Sequence, residues 1–162
     1  RIAYCKVFYP LAYYASFFSI RASAFSYELM CLGREKLERH LEDYKRRSDS
    51  LSKKEQDTLR DMRIVQEMYA RGFDFLPMDI YKAKARQFQV MGNRLMPSIN
   101  SIDGLGEKAA DSIEEAAKDG PFLSKEDFRN RTRVSKTICD LMGELGILKD
   151  LPETNQLSLF DF

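Results

Sequence analysis

The sequence has few cysteines and histidines, the residues that bind zinc or, for cysteine, form disulfides. Its 162 residues include three cysteines, Cys5, Cys31 and Cys139, and one histidine, His40. The cysteines are odd in number, far apart and without CxxC spacing, so neither a zinc site nor a disulfide framework is expected. We therefore predict a cytoplasmic protein with no bound metal or other cofactor, whose reduced thiols are buried as small hydrophobic side chains.

Long apolar runs are also missing. No stretch of eighteen apolar residues occurs, which argues against a membrane-spanning helix. The chain lacks an initiator methionine and opens inside an apolar helical pattern, "RIAYCKVFYPLAYYASFF". This start indicates a piece of a longer protein.

Positive charge is unevenly distributed along the chain. Residues 1–98 hold 18 lysines and arginines against 12 acidic residues, whereas residues 99–150 hold 8 against 11. Proteins that depend on attraction to phosphate are usually basic. The acidic balance of the second part therefore argues against strong autonomous DNA binding.

Helical periodicity dominates the first seventy residues. Pro10 can begin a helix, "PLAYYASFFSIRA", which is apolar nearly all round and is expected to be buried. Ser26 is predicted to cap a third helix whose apolar positions continue to Tyr44. Ser52 and Glu55 form a capping box at the start of a fourth helix.

The periodicity then changes. Phe88 and Val90 alternate before a Gly92-Asn93 turn, and a second short run begins at Leu95, which predicts a small β-hairpin. Short helices separated by glycine and serine follow, and no internal repeat is apparent. The expected fold is therefore mainly α with one small β-hairpin.

One turn in the second part of the chain has the pattern of an anion site. The stretch "INSIDGLGEKAADSI" predicts two short helices joined at Gly104-Leu105-Gly106. The glycines permit conformations closed to other residues and let a second backbone approach. The amides of Leu105, Gly106 and Glu107 should then face outward at a helix N-terminus, where a DNA phosphate is favoured, with Lys108 as the nearby cation. The alternative is a plain turn between helices, with glycines for geometry alone.

A weaker second unit follows this turn. Ser124 is expected to cap "KEDFRNRT", and Ser135 is expected to cap "KTICDLMGEL". Between the two caps, positive charge is concentrated at Arg129, Arg131, Arg133 and Lys136. The cluster either contributes to binding DNA phosphates or is an ordinary solvated helix end.

These features fit known families. The Gly104–Gly106 stretch resembles helix-hairpin-helix modules, which bind the duplex backbone without reading sequence. The whole chain resembles the C-terminal end of the PolC-type bacterial DNA polymerase III alpha subunit, in "RIAYCKVFYPLAYYASFFSIRA", "ARGFDFLPMDIYKAKARQFQV", "INSIDGLGEKAADSIEEAAKDGPFLSKEDFRNRTRVSKTI" and "QLSLF". The alternatives are a free-standing helix-hairpin-helix DNA-binding or repair protein and a clamp-binding adaptor.

The resemblance implies an organisation for the chain. Residues 1–98 would belong to the polymerase fingers, residues 99–150 would form the helix-hairpin-helix module on the emerging duplex, and residues 151–162 would be a flexible tail. The catalytic carboxylates and Mg²⁺ of the parent DNA-directed DNA polymerase would lie in the rest of the polymerase chain, so this piece should be inactive alone. In that family, fingers cations lie near the phosphates of the incoming nucleotide. Arg1 and Lys6 would then be candidates, with a solvated helix face as the alternative.

The closing "QLSLF" resembles the pentapeptide that binds the bacterial sliding clamp (beta subunit). Leu157, Leu159 and Phe160 would enter a groove on the clamp, each contributing about 1.5–3 kcal/mol if fully buried. Gln156 would set the register through its amide, and Ser158 has only to be small or polar. The alternative is a tail that folds back onto the protein's own core.

Overall fold

Eight α-helices, two single-turn 3₁₀ helices and a three-stranded sheet make up the regular structure of residues 1–155, the part of the chain that the computed structural model describes. The helices are α1 (Ile2–Phe8), α2 (Pro10–Ile20), α3 (Tyr27–Met30), α4 (Arg34–Arg46), α5 (Lys53–Ala70), α6 (Glu107–Lys118), α7 (Lys125–Thr132) and α8 (Lys136–Glu144). The strands are β1 (Asp74–Phe75), β2 (Gln89–Met91) and β3 (Arg94–Met96). The prediction of a mainly α fold with a small hairpin is confirmed.

Helix α2 is buried on one side only. It begins at Pro10 and packs Tyr14, Ala15 and Phe18 into the core. The opposite side is open, and Ile20 is 85% exposed. Helix α1, which packs on α2, buries none of its residues. The expectation that this apolar helix is buried therefore holds for one side and is wrong for the other.

The predicted third helix is two helices. The hydroxyl of Ser26 caps the first of them by accepting from the N–H of Leu29 at 3.3 Å, but α3 ends at Met30. Gly33, with φ +107°, then turns the chain before α4 begins at Arg34. An α-helix cannot pass through such a φ value, so the apolar periodicity continues across a break in the backbone.

Helix α5 begins at the predicted capping box. The N–H of Ser52 donates to Glu55 Oε2 at 2.8 Å, and the N–H of Glu55 donates to Ser52 Oγ at 3.3 Å. Met62, Val65 and Met68 lie on one side of this helix and are completely buried. The predicted cap is confirmed.

The sheet contains the predicted hairpin and one further strand. Strands β2 and β3 pair antiparallel, with Val90 opposite Leu95, and Gly92 at φ +64° makes the turn between them. Strand β1 pairs parallel to β3, so the strand order is β1-β3-β2. An ion pair between Arg94 Nε and Asp74 Oδ1, 2.6 Å apart, joins β3 to β1.

The hydrophobic core runs without a break from α2 to α8. At the predicted boundary near residue 98, Ser98 and Ile99 are completely buried, and the N–H of Ile99 donates to the carbonyl of Lys84 at 2.9 Å. The helical segment and the following module therefore share one interior. The division into functional parts at this point stays a prediction.

The cysteines differ in their surroundings. All three are free, and Cys31 and Cys139 are buried as expected. Cys5 is exposed on α1, so the prediction of a buried thiol is wrong there. Burial raises the pKa of the Cys31 thiol well above its usual value. Within residues 1–155, every helix is too short or too polar to cross a bilayer.

Candidate nucleic-acid interface

The first hairpin is built on a turn at Gly104-Leu105-Gly106. Before the turn there is only a single 3₁₀ turn, Ile99–Ser101, where a short helix was expected. Leu105 is 7% exposed and plugs the hairpin, as the sequence predicts. Its N–H donates to the carbonyl of Ile102 at 3.1 Å, so this amide is not free to bind a ligand.

Helix α6 starts at this turn with open backbone donors. Gly106 is the N-cap and carries no side chain that could accept a hydrogen bond. Within residues 1–155, the N–H groups of Gly106, Glu107 and Lys108 have no hydrogen-bond acceptor. The first amides of a helix carry partial positive charge, so this end can hold an anion.

The two glycines have different roles. Gly104 has φ +78°, and a Cβ there would lie 3.5 Å from Ile138 Cδ1 of α8. Gly106 has an ordinary φ of −71°, and a Cβ there would meet nothing within 4 Å. The expectation that both glycines are needed for their backbone conformation is therefore wrong for Gly106. The open space at Gly106 leaves room for another backbone.

A second turn has the same geometry as the first. Between α7 and α8, Arg133 has φ +58° and is the one non-glycine residue with positive φ in residues 1–155. Val134 follows it and is 7% exposed, like Leu105. Ser135 then caps α8, with ψ 156° against 162° at Gly106. Ser135 Oγ accepts from the N–H of Ile138, so this helix end is partly closed.

The second unit, which the sequence predicts, repeats the first, and this relation was missed by sequence analysis. Arg133 follows Gly104 by 29 residues. Buried residues recur at this offset: Ile99 and Phe128, Ala110 and Cys139, and Ile113 and Met142. The pairs are alike in burial and position but differ in side chain. The repeat could have been found in the sequence by comparing apolar positions that lie 29 residues apart.

Four predicted cations are exposed around the two turns: Lys108, Arg129, Arg133 and Lys136. None of them forms an ion pair within residues 1–155. Helix α8 reaches the first turn through Ile138, so the two turns lie on the same side of the module.

Arg131 is different from its neighbours. Its Nη2 donates to the carbonyl of Ala116 at 2.6 Å and to that of Gly120 at 3.1 Å. Its guanidinium also lies 4.5 Å from the centre of the Phe122 ring. The side chain of Arg131 therefore binds the carbonyl end of α6 and the loop after it, and it is not available to a phosphate.

Arg86 binds the start of α6 beside the first turn, and sequence analysis missed this contact. Its Nη1 donates to Glu107 Oε2 at 2.8 Å, while Nε and Nη2 donate to the two oxygens of Asp111 at 3.0 and 2.5 Å. The Arg86 guanidinium holds the pKa of the Asp111 carboxyl below its usual value. Arg86 lies in a loop well before α6 in the sequence, and no local pattern connects it with the hairpin.

The helical segment forms one wall of a cavity at the first turn. The cavity has a volume of about 410 Å³ and lies between the end of α2 and the start of α6. Ser23 and Asn100 line it together with Arg86, Gly106 and Glu107. Residues from both predicted parts of the chain therefore surround the hairpin turn.

Lys6 is held in a hydrogen-bond network with α2 and α5. Its Nζ lies 2.8 Å from Glu67 Oε1, which also accepts from the Tyr14 hydroxyl at 2.7 Å. Arg71 donates to the same hydroxyl at 3.1 Å. Burial, followed by the hydrogen bond with Glu67, raises the pKa of Tyr14 to about 12. Arg1 is exposed, and a role for either cation at a nucleotide stays a prediction.

The acidic side chains described here do not form a metal site. Across residues 1–155, no group of three or more carboxylate, cysteine or histidine side chains is arranged to hold a metal ion. Asp74 pairs with Arg94, and Asp79 accepts from the N–H of Tyr81 at 2.9 Å. The residues present therefore do not fit the magnesium ions of a polymerase.

The start of the tail is attached to α7. The N–H groups of Lys125 and Glu126 donate to the carbonyls of Pro152 and Glu153 at 2.8 and 3.2 Å. Lys125 Nζ also lies 2.5 Å from Glu153 Oε1. The predicted clamp-binding residues 156–160 lie outside the described residues.

Known protein families match the region that contains the two hairpin turns. The family described as "Helix-hairpin-helix motif" matches residues 72–157. The chain is 42% identical over 160 residues to the PolC-type DNA polymerases III of Caldanaerobacter subterraneus subsp. tengcongensis and Clostridium perfringens. It is 43% identical over 163 residues to that of Streptococcus pneumoniae. These matches cover 99% of this chain but 11% of each polymerase. The chain belongs to the helix-hairpin-helix family, and the resemblance to PolC-type DNA polymerase III over nearly its full length is confirmed.

Proposed function

We propose that this chain binds the phosphate backbone of duplex DNA as a segment of a PolC-type replicative DNA polymerase. The observation that carries the proposal is the uncapped start of α6, where the N–H groups of Gly106 and Glu107 are open and the space around Gly106 is free. A phosphate oxygen can accept from both amides, and the helix dipole favours its charge. The similarity to PolC-type polymerases over 99% of the chain favours this function over a free-standing repair protein or an adaptor.

The second turn supports the same function. Because it repeats the geometry of the first, it can present Arg133 and Lys136 to a neighbouring phosphate, with Lys108 and Arg129 beside them. These groups recognise phosphate rather than base edges, so binding should not depend on sequence. The acidic balance of residues 99–150 limits the affinity of the chain alone.

The exposed apolar side of α1 and α2 supports a place within a longer polypeptide. Ile2, Val7, Phe8 and Ile20 are each more than 60% exposed on these helices. Contiguous exposed apolar surface usually marks a contact with other protein. As part of the polymerase fingers, this side would pack on the rest of the polymerase chain. Arg1 and Lys6 lie beside it, and Lys6 would have to leave Glu67 to reach a nucleotide phosphate.

The tail is proposed to bind the sliding clamp. The pentapeptide at residues 156–160 offers two leucines and a phenylalanine to a preformed groove, with Gln156 setting the register. Such a short peptide binds weakly alone. Its contribution becomes large when DNA already holds polymerase and clamp together, because the effective concentration is then high.

The whole polymerase would be a DNA-directed DNA polymerase that uses Mg²⁺. Because the acidic residues described here do not fit magnesium, we assign no catalytic step to them. The purified chain should therefore fail to extend a primer. Magnesium-dependent extension by this chain would contradict that expectation.

A salt titration tests the duplex-binding function. Affinity for two duplexes of unrelated sequence should be equal and should fall as salt rises. Lys108→Gln and Arg133→Gln should each weaken binding and lower the salt dependence by about one phosphate contact. Lys54→Gln, at an exposed lysine on α5, is the matched control and should leave affinity unchanged. Binding that follows one base sequence, or that ignores both hairpin variants, would overturn the proposal.

A further inference from the structure

One side of α6 is acidic and is contacted by the short segment at residues 84–86. Glu107, Asp111 and Glu114 lie at i, i+4 and i+7, so they share one face of the helix. The N–H of Ala85 donates to Glu114 Oε2 at 2.6 Å, and Arg86 binds the other two carboxylates. Residues 84–86 thus bring a positive charge to the first two turns of this helix.

The two carboxylates bound by Arg86 lie beside the open amides. Glu107 is the first residue of α6 and follows Gly106 directly, and Asp111 is one turn further along. Unneutralised, both would repel a phosphate at this helix end. An exposed aspartate is ionised at neutral pH, and the Arg86 guanidinium lowers the pKa of the Asp111 carboxyl further. The negative charge is therefore present beside the open amides, and the guanidinium is the cation that offsets it.

We infer that Arg86 is a positioning residue for phosphate binding: its guanidinium neutralises Glu107 and Asp111, so that an anion can approach the amides of Gly106 and Glu107. The inference rests on the proposed duplex binding. Exposed ion pairs usually add little to stability. All three side chains are at least 47% exposed, so the contribution of this network is to the charge at the turn rather than to the core.

Two other roles for Arg86 make different forecasts. If its guanidinium bound the phosphate directly, binding would be lost whenever Arg86 was removed, whatever happened to the two acids. If it only joined the segment at residues 84–86 to α6, its removal would lower the melting temperature without a specific effect on DNA. A charge-neutralising role predicts that removing the acids makes Arg86 dispensable.

Five versions of the full chain separate these roles. They are the original chain, Arg86→Gln, Arg86→Lys, a double variant with Glu107→Gln and Asp111→Asn, and a triple variant that adds Arg86→Gln to the double variant. Duplex affinity at low salt should fall about tenfold in Arg86→Gln, because two carboxylates then face the phosphate. Arg86→Lys keeps the charge and should stay within about threefold of the original. The double variant, which lacks both carboxylates, should bind duplex DNA at least as tightly as the original. The triple variant should differ from the double variant by less than about twofold in affinity.

The controls decide how each outcome is interpreted. Arg46→Gln breaks an exposed pair with Glu42 on α4 and should leave both affinity and melting temperature unchanged. Unchanged affinity in Arg86→Gln would overturn the inference alone, provided that the original chain binds duplex. If the triple variant bound duplex DNA as weakly as Arg86→Gln, the inference would be overturned in favour of direct contact between the Arg86 guanidinium and a phosphate. Absence of duplex binding by the original chain would overturn this inference and the proposed function together.

Discussion

Ser26 Oγ donates a hydrogen bond of 2.5 Å to Asp103 Oδ2, across a sequence separation of 77 residues. The same hydroxyl accepts from the N–H of Leu29 and so caps α3. Asp103 directly precedes Gly104. One buried hydroxyl therefore fixes the start of a helix in the first part of the chain to the turn that we propose binds DNA.

Ser26→Ala should destabilise the protein by about 0.5–2 kcal/mol, because the N-cap of α3 is lost together with the partner of Asp103. Urea unfolding at neutral pH measures the change. Ser48→Ala removes an exposed hydroxyl from a 3₁₀ turn and is the control. Equal stability of the two variants would show that the Ser26 hydroxyl contributes nothing.

Gly104 and Gly106 should respond differently to alanine. Gly104→Ala places a Cβ at φ +78° and should cost about 1–2 kcal/mol of stability. Gly106→Ala meets no atom within 4 Å and has an ordinary φ, so the melting temperature should fall only slightly. Its methyl group would occupy the space of an approaching phosphate, and duplex affinity should fall. Full affinity in Gly106→Ala would show that no DNA backbone comes close to that residue.

Arg133→Gly should change stability and affinity in opposite directions. Glycine relieves the left-handed conformation at φ +58° and should stabilise the protein by about 0.5–1 kcal/mol. The loss of an exposed cation should weaken duplex binding and reduce its salt dependence. Arg129→Gln is the control: it removes one positive charge from α7 but relieves no left-handed backbone conformation, so it should weaken binding without raising stability. A destabilised Arg133→Gly would mean that the arginine side chain stabilises the turn more than its φ strains it.

Tyr14 should make stability depend on alkaline pH. Its pKa is raised to about 12 by burial and then by Glu67, so between pH 10 and 12 the folded protein holds a proton that the unfolded chain releases. The free energy of unfolding should fall across this range, by up to about 2 kcal/mol from this group. Tyr14→Phe should show a shallower fall in urea unfolding, whereas Tyr4→Phe, at an exposed ring, should match the original. Identical pH profiles for all three would refute the assignment.

Truncation after Asn155 should abolish binding to a bacterial sliding clamp and leave the melting temperature nearly unchanged. Leu159→Ala combined with Phe160→Ala should do the same in the full chain. A tail docked on the protein's own core makes the opposite forecast, because losing buried leucine and phenylalanine side chains costs about 2–5 kcal/mol each. Clamp titration and a melting curve on the same two variants decide between the alternatives.

Local signals predicted the parts of the fold that local interactions determine. The Ser52–Glu55 cap and the Gly92 turn depend on residues within four positions of each other, so their sequence patterns suffice. Strand β1 has two residues, and its partner β3 lies some twenty positions later. Nothing in its own residues distinguishes it from a loop.

The candidate site divides in the same way. Gly104 could be found because a positive φ favours glycine. Arg133 adopts the same left-handed conformation without being a glycine, which concealed the likeness of the second turn to the first. The contacts of Arg86 with α6 and of Arg131 with backbone carbonyls arise only once the chain has folded. Counting charges in the sequence cannot separate an arginine that is open to DNA from one already used inside the protein.

The attachment of Pro152 and Glu153 to α7 limits how far the pentapeptide can extend from the rest of the protein. The backbone is fixed at Glu153, and Gln156 follows three residues later. Even a fully extended chain spans only about 10 Å over that distance. If the pentapeptide binds a sliding clamp as we propose, the clamp must therefore lie close to the N-terminal end of α7, and this proximity would restrict its orientation relative to the helix-hairpin-helix module.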